Sequence, residues 1–358
     1  MRFAVVGAGA IGALHAGTIA NLDGGSLAAV VDVDQTRAER LADEHDATPL
    51  RELHQALSVP DIDAVAICTP SGNHAELAEA ALKAGKHVVV EKPLDVSLEA
   101  GQRVARAERE SGRTVAVISQ HRFDRSSLAV DRAIREGRLG RVTSGSATVS
   151  WWRSQAYYDS AGWRGTWALD GGGALMNQGI HTIDLLVWFL GRPVEVFAWT
   201  GCLAHQRIEV EDTAVATVRF ESGALGVIQG TTAAYPGLNA RVQVHGDRGS
   251  AVIDDDLLTY FHAAAPGESG PDIGAGSPDN QARDLVPPVV SSTEGAARVA
   301  GITSTSHTAQ YVDFLAAVRN GTSPLVSVTE ALRTLAVVRA IYSSADAGQP
   351  MRIADVAP

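Results

Sequence analysis

The chain opens on a short apolar run, Phe3-Ala4-Val5-Val6, too short for a helix and followed at once by glycines. Similar runs recur at Leu27–Val31, Ala64–Cys68, His87–Val90 and Thr114–Ile118. Helical stretches lie between them, from Gly12 to about Leu22, over His74–Ala84 and over Leu98–Glu110. Brief apolar strands alternating with helices predict a doubly wound parallel sheet, an α/β Rossmann domain over residues 1–122. The pattern then changes. Val142–Ser150, Val194–Thr200, Thr213–Phe220, Ala224–Thr231, Arg241–Gly246 and Gly249–Asp254 read as strands, with Asp247-Arg248 as a hairpin turn. These surround a helix that ends near Leu190, with Gly191 and Pro193 as its stop signals. Ala263–Pro288, rich in Gly, Pro and Asp, predicts a long loop. Two helices, Thr308–Arg319 and Thr329–Ala345, close an α+β domain over residues 123–358.

Composition narrows the partners. The chain has 358 residues, 45% of them apolar, and a net charge of −11. That charge, with no basic block, argues against nucleic acid and anionic membranes. Two cysteines, Cys68 and Cys202, make neither a disulfide framework nor a zinc site, and no metal is expected. No signal peptide precedes the first strand, and no apolar run approaches the ~18 residues that span a bilayer. The expectation is a soluble cytoplasmic protein.

The first glycines carry chemistry. Gly7-Ala8-Gly9-Ala10-Ile11-Gly12 is a GxGxxG motif between a strand and a helix, the context that binds a dinucleotide pyrophosphate at a helix N-terminus. Asp32 lies 25 residues after Gly7, where an acid takes the ribose hydroxyls of NAD. It disfavours a 2′-phosphate, although Arg37 leaves NADP possible. Glu91-Lys92-Pro93 follows the strand ending at Val90. Ligands bind at the carboxyl ends of such strands, so Lys92 is expected to face the cofactor.

These residues, with Thr69-Pro70, His74, Ala84-Gly85-Lys86-His87-Val88, Arg122-Phe123 and Gly171-Gly172-Gly173 followed by His181, resemble the glucose–fructose oxidoreductase / inositol dehydrogenase (Gfo/Idh/MocA) family. The resemblance spans essentially the whole chain. It implies a nicotinamide-dependent oxidoreductase acting on sugars, cyclitols or their derivatives. It also implies a C-terminal domain built on a large open mixed, mostly antiparallel sheet that often forms the oligomer interface. A homodimer or homotetramer is the expected state. The family's pattern adds Thr69, Pro70, His74 and Glu91 to the cofactor site and makes Lys92 and His181 the catalytic pair.

Oxidising a secondary alcohol sends hydride to the nicotinamide and needs a base for the hydroxyl proton. His181 suits that role near neutral pH, and Lys92 polarises the hydroxyl. On an α-helix Asn177 and His181 share a face, and Asp184 is placed to orient the imidazole or to cap elsewhere. Many relatives carry aspartate where Asn177 stands. An amide cannot titrate, so Asn177 is expected only to hydrogen-bond substrate or cofactor.

Six of the chain's 19 aromatic residues fall between Trp151 and Trp167. Aromatic faces stack on sugar rings, so Tyr157, Trp163 and Arg164 are candidate substrate contacts, with Arg122 a fourth through its donor fork. His307 reads as a residue that caps or packs, with an approach to the substrate from helix Thr308–Arg319 as the alternative. Two alternatives stand beside the dehydrogenase: a glycoside hydrolase or lyase that uses NAD transiently, and a non-catalytic NAD-binding sensor.

Overall fold

The computed structural model describes residues 1–265, 267–268, 274, 279–287 and 304–355. Six strands, β1 (Arg2–Val6), β2 (Ser26–Val31), β3 (Thr48–Leu50), β4 (Ala64–Ile67), β5 (His87–Val90) and β6 (Val115–Val117), form the first sheet. Their order is β3-β2-β1-β4-β5-β6, and every pairing is parallel. Helices cover both faces, which is why these strands read as unbroken apolar runs. Phe3, Ala4, Val5, Val65 and Val88 are fully buried.

The second sheet has eight strands: β7 (Val142–Ser150), β8 (Pro193–Gly201), β9 (Thr213–Phe220), β10 (Leu225–Thr231), β11 (Ala240–Gly246), β12 (Gly249–Asp254), β13 (Leu257–Ala263) and β14 (Met351–Arg352). Their order is β13-β12-β11-β7-β10-β9-β8-β14. Only β7 and β10 run parallel; the other pairs are antiparallel. Buried and outward residues alternate along β9 and, as far as Gly230, along β10. Their inward members pack under helices Ile180–Leu190 and Val328–Ala347, while Val215, Leu225 and Val227, with Trp199 of β8, are exposed on the opposite face.

The chain's last third returns to the first sheet. Helix Ser304–Asn320 buries Tyr311, Phe314 and Leu315 against Phe3, Val5 and Ile19. Helix Val328–Ala347 packs on β8 and on helix Leu98–Ser111, where Gly101 has no room for a Cβ beside Leu332. The interior between the sheets is therefore shared.

The structure adds elements to those expected, among them helices Gln35–Asp43 and Leu53–Leu57 and strands β3 and β14. Strand β13 and helix Arg125–Arg135 lie where no element was expected. The helix after the triple glycine begins as a π-helical segment, Ala174–Gly179, and becomes α-helical only over Ile180–Leu190. Of the expected loop Ala263–Pro288, residues 266, 269–273, 275–278 and 288 lie outside the described residues. The described part holds a short helix, Ala282–Leu285.

Candidate active site

The glycine turn after β1 is shaped by sterics. Gly7 adopts φ +101°, and a Cβ there would lie 2.6 Å from the Cys68 carbonyl oxygen. A Cβ on Gly12 would lie 1.8 Å from the Gly7 oxygen, so only glycine lets helix Ala10–Ala20 dock on the strand. Gly9 is the opposite case: a Cβ there meets nothing within 4 Å. The turn is thus open on the side where a pyrophosphate would approach the helix N-terminus, over Ala10 and Ile11. Asp32 accepts from the Ala8 amide at 2.7 Å and from the Asp34 amide at 2.8 Å, which fixes its carboxylate beside this turn. Arg37 turns to Asp34 at 3.2 Å. These residues fit a dinucleotide whose ribose meets Asp32.

Lys92 follows β5 and reaches across to the second domain. Its Nζ donates to the Asn177 carbonyl at 2.8 Å and to Asn177 Oδ1 at 3.3 Å. Burial pushes its pKa below 10.5, as do Arg164 and Arg153, while Glu91 and Asp170 act against the fall. The other end of the Asn177 amide donates to Asp170 Oδ1 at 2.5 Å, and Asp170 Oδ2 accepts from the Gly165 amide at 2.8 Å. Burial raises the Asp170 carboxyl to about 6. The Asn177 amide is committed on both sides, so it positions Lys92 rather than offering itself to substrate. Asn177 lies in the π-helical segment that precedes His181, and its carbonyl and side-chain oxygens both face the Lys92 ammonium.

Neither ring nitrogen of His181 has a hydrogen-bond partner among the described residues, and Nδ1 is shielded from solvent. Burial holds its pKa well below 6.5, helped by the charges of His121 and Lys92. His121 stands edge-on to it, ring centroids 5.1 Å apart. Asp124 and Asp256 each lie 2.8 Å from His121 Nδ1, and although burial opposes it they raise its pKa to about 10. A His121 imidazolium charged around neutrality thus adds to burial in keeping the neighbouring imidazole neutral.

Four residues of the expected site have their side chains committed within the protein. Arg122 is 1% exposed and does not face a ligand: its Nε and Nη2 each donate to Asp184 at 2.7 Å, and Nη1 donates to Glu330 at 3.0 Å. Asp184 consequently does not orient His181; it also accepts from Ser119 and Thr334. Glu91 is buried and turned inward, Oε1 lying 2.8 Å from His15 Nε2, whose other nitrogen is 2.6 Å from the Tyr311 hydroxyl. Glu91 Oε2 accepts from the Lys92 amide at 3.0 Å, so its side chain braces the lysine turn. His74 is buried between two carbonyl oxygens, Pro93 at 2.7 Å and Thr69 at 2.9 Å, and ties together the Thr69-Pro70 and Lys92-Pro93 turns. Thr69 Oγ1 is buried without a partner at that junction. His307 packs, as expected, its ring 5.6 Å from that of His15.

The aromatic stretch divides. Tyr158 is buried against His205, and Trp152 lies beside the same ring. Tyr157 and Trp163 carry the Arg164 guanidinium, at 4.4 and 4.5 Å from their ring centres. The sequence reading missed Asp170, His121 and Arg153. Asp170 heads the glycine segment and was legible as an acid beside it; no signal in the chain marks His121 or Arg153.

A Rossmann sheet with an open glycine turn, a lysine at its carboxyl edge and a neutral histidine opposite define a dinucleotide-dependent oxidoreductase. Residues 1–119 match the oxidoreductase family with an NAD-binding Rossmann fold, and residues 127–252 match the GFO/IDH/MocA C-terminal domain. The chain is 31% identical over 265 residues to the myo-inositol 2-dehydrogenase of Thermotoga maritima, covering 71% of this chain and 75% of that one. It is 26% identical to the NAD-dependent scyllo-inositol 2-dehydrogenase of Bacillus subtilis, over 99% and 96% of the two chains. Among solved structures, the WlbA dehydrogenase of Bordetella pertussis, in complex with NADH and UDP-GlcNAcA, superposes with a TM-score of 0.86 at 33% identity, covering 99% and 98%. The chain belongs to the Gfo/Idh/MocA family of NAD-binding oxidoreductases. Among the described residues no helix is long and apolar enough to cross a membrane.

Proposed function

We propose that the protein oxidises a secondary hydroxyl of a sugar, sugar derivative, glycoside or cyclitol, with NAD as the acceptor. The observation that carries this reading is the pairing of Lys92, anchored by Asn177, with a neutral, unpartnered His181. When bound, the nicotinamide supplies the hydride acceptor. Lys92 holds the hydroxyl oxygen and favours its anionic form by charge. His181 takes the hydroxyl proton on a ring nitrogen, which its neutral state leaves free to accept. Glu91 and Asn177 fix the two ends of the lysine, so little reorganisation is needed as charge develops. The inositol dehydrogenases among its relatives act on cyclitols, which supports the substrate class.

Asp170 gives some support to a reaction that uses NAD only transiently, because such chemistry needs a second acid–base group. Its two oxygens are taken by Gly165 and Asn177, however, which favours a positioning role. The exposed Trp199, Val215, Leu225 and Val227 support pairing of two copies through the outer sheet face, which sedimentation of the intact chain measures.

The assignment of His181 as the sole base is tested by two variants. His181→Ala lowers kcat by about 100- to 10,000-fold, the usual range for a lost general base. Asn177→Ala, which loosens Lys92 without removing it, costs far less. Equal losses would overturn the single-base assignment.

A further inference from the structure

Arg153 and Arg164 form a cationic pair beside Lys92 that none of the steps above uses. Both guanidiniums lie over the ring of Tyr157, at 5.4 and 4.4 Å from its centre. Arg153 also lies 5.1 Å from the Trp151 ring centre, and Arg164 4.5 Å from that of Trp163. A polar chain links them. Arg164 Nη1 donates to the Tyr157 hydroxyl at 2.7 Å, Gln178 Nε2 donates to the same oxygen at 2.9 Å, and Arg153 Nη2 donates to Gln178 Oε1 at 2.7 Å. Arg153 Nη1 donates to the Trp152 carbonyl at 3.1 Å. Gln178 is the neighbour of Asn177, the residue that holds Lys92, so the pair stands at the edge of the reaction site.

Among the described residues neither guanidinium forms a salt bridge with a carboxylate, whereas Arg122, Arg192, Arg207 and Arg241 each do. Arg164 Nε is buried and has no acceptor. Asp170, the nearby acid, already accepts from Gly165 and Asn177. Lys92, Arg153 and Arg164 thus concentrate positive charge in a chain whose net charge is −11. Guanidiniums that are stacked and immobilised, with only the field of Asp170 acting on Arg164 and no carboxylate in salt-bridge contact, are preorganised for an oxyanion. One Nη1 hydrogen goes to Tyr157, while Nε and Nη2, the side edge of the fork, have no acceptor among the described residues. That edge can take both oxygens of a carboxylate in a bidentate pair.

We propose that the substrate is a sugar acid whose carboxylate is bound by Arg164, with Arg153 completing the field, while the hydroxyl to be oxidised lies between Lys92 and His181. This rests on the dehydrogenase reading, and the test separates the two. The NAD-loaded protein is titrated calorimetrically with pairs that differ only at C6, D-glucuronate against D-glucose and D-galacturonate against D-galactose, each free and as the UDP-linked form. D-glucose 6-phosphate is included as the phosphate arm. In at least one pair the acid binds about 10- to 100-fold more tightly than its neutral partner, the range for a charged hydrogen-bonded contact. Arg164→Met collapses that ratio, Arg164→Lys restores part of it, and Arg153→Gln lowers it. NAD affinity and thermal melting verify that each variant folds. The proposal is overturned if no acid outbinds its neutral partner, if the preference survives Arg164→Met, or if the 6-phosphate matches the acid. Because the readout is binding, it stands apart from turnover: acid selectivity without NADH formation would sink the dehydrogenase reading and leave the carboxylate site, whereas NADH from neutral sugars with no acid preference would do the reverse.

Discussion

His181 owes its readiness to its surroundings rather than to its own element. Burial first, then the charged His121 ring and the Lys92 ammonium, keep its imidazole neutral, and the Asp170 carboxyl is raised to about 6. The signs then set a pH profile. His181, with its pKa lowered, is in its base form above a value below 6.5. Asp170, with its pKa raised, becomes the charged acceptor that holds Asn177 and Gly165 as pH climbs past about 6. Lys92, its pKa lowered, loses its charge on the alkaline side before 10.5. A plot of kcat/KM against pH should therefore be level around neutrality and fall on the acid side below 6.5. Asp170→Asn should move that acid limb lower. An acid limb centred above 6.5 would contradict the neutral-histidine account. None of this could be read from spacing. Lys92 and His181 stood out through their motifs, but the groups that tune them, His121 from the turn after β6 and Asp170 from before the glycines, become neighbours only by tertiary packing.

The segment that holds these residues departs from regular helix where it matters. Glycines 171 and 173 have no space for a side chain: a Cβ would fall 2.5 Å from Val96 Cγ1 in one case and 1.9 Å from the Glu211 carbonyl in the other. Glu211 in turn accepts from the Gly173 and Leu175 amides at 3.0 and 2.9 Å, which satisfies the opening of the π-helical segment. The i, i+4 rule assumed α-helical winding, whereas Asn177 sits in a π-helical turn; both it and His181 still lie beside Lys92. Arg122 was misread for a related reason. A guanidinium after a Rossmann strand looks like a ligand donor, yet helix Ile180–Leu190 brings Asp184 beneath it and helix Val328–Ala347 brings Glu330. Arg122→Met should leave Asp184 buried with its charge uncompensated and cost about 3–5 kcal/mol of stability, read in denaturant melts, with little change in the KM for sugar. A raised KM at unaltered stability would restore Arg122 to the substrate site.

At the scale of the molecule the fold was legible almost throughout, because parallel strands buried on both faces and strands with one exposed face leave different patterns. What the pattern hid was the return of helix Ser304–Asn320 to the first sheet, a contact between chain ends that no local period records. That return matters to the site. Tyr311 from this helix completes the His15–Glu91 array under the lysine turn, so the second half of the chain helps to hold a residue of the first. The central claim is that the site performs net oxidation, with Lys92 and His181 acting on the hydroxyl. The most direct measurement follows NADH by its near-ultraviolet absorbance while the NAD-loaded protein meets a panel of sugars, sugar acids, glycosides and cyclitols. The account predicts NADH accumulating in proportion to the sugar oxidised and vanishing with His181→Ala. Tight NAD binding with sugar or glycoside consumed and no NADH released would contradict it.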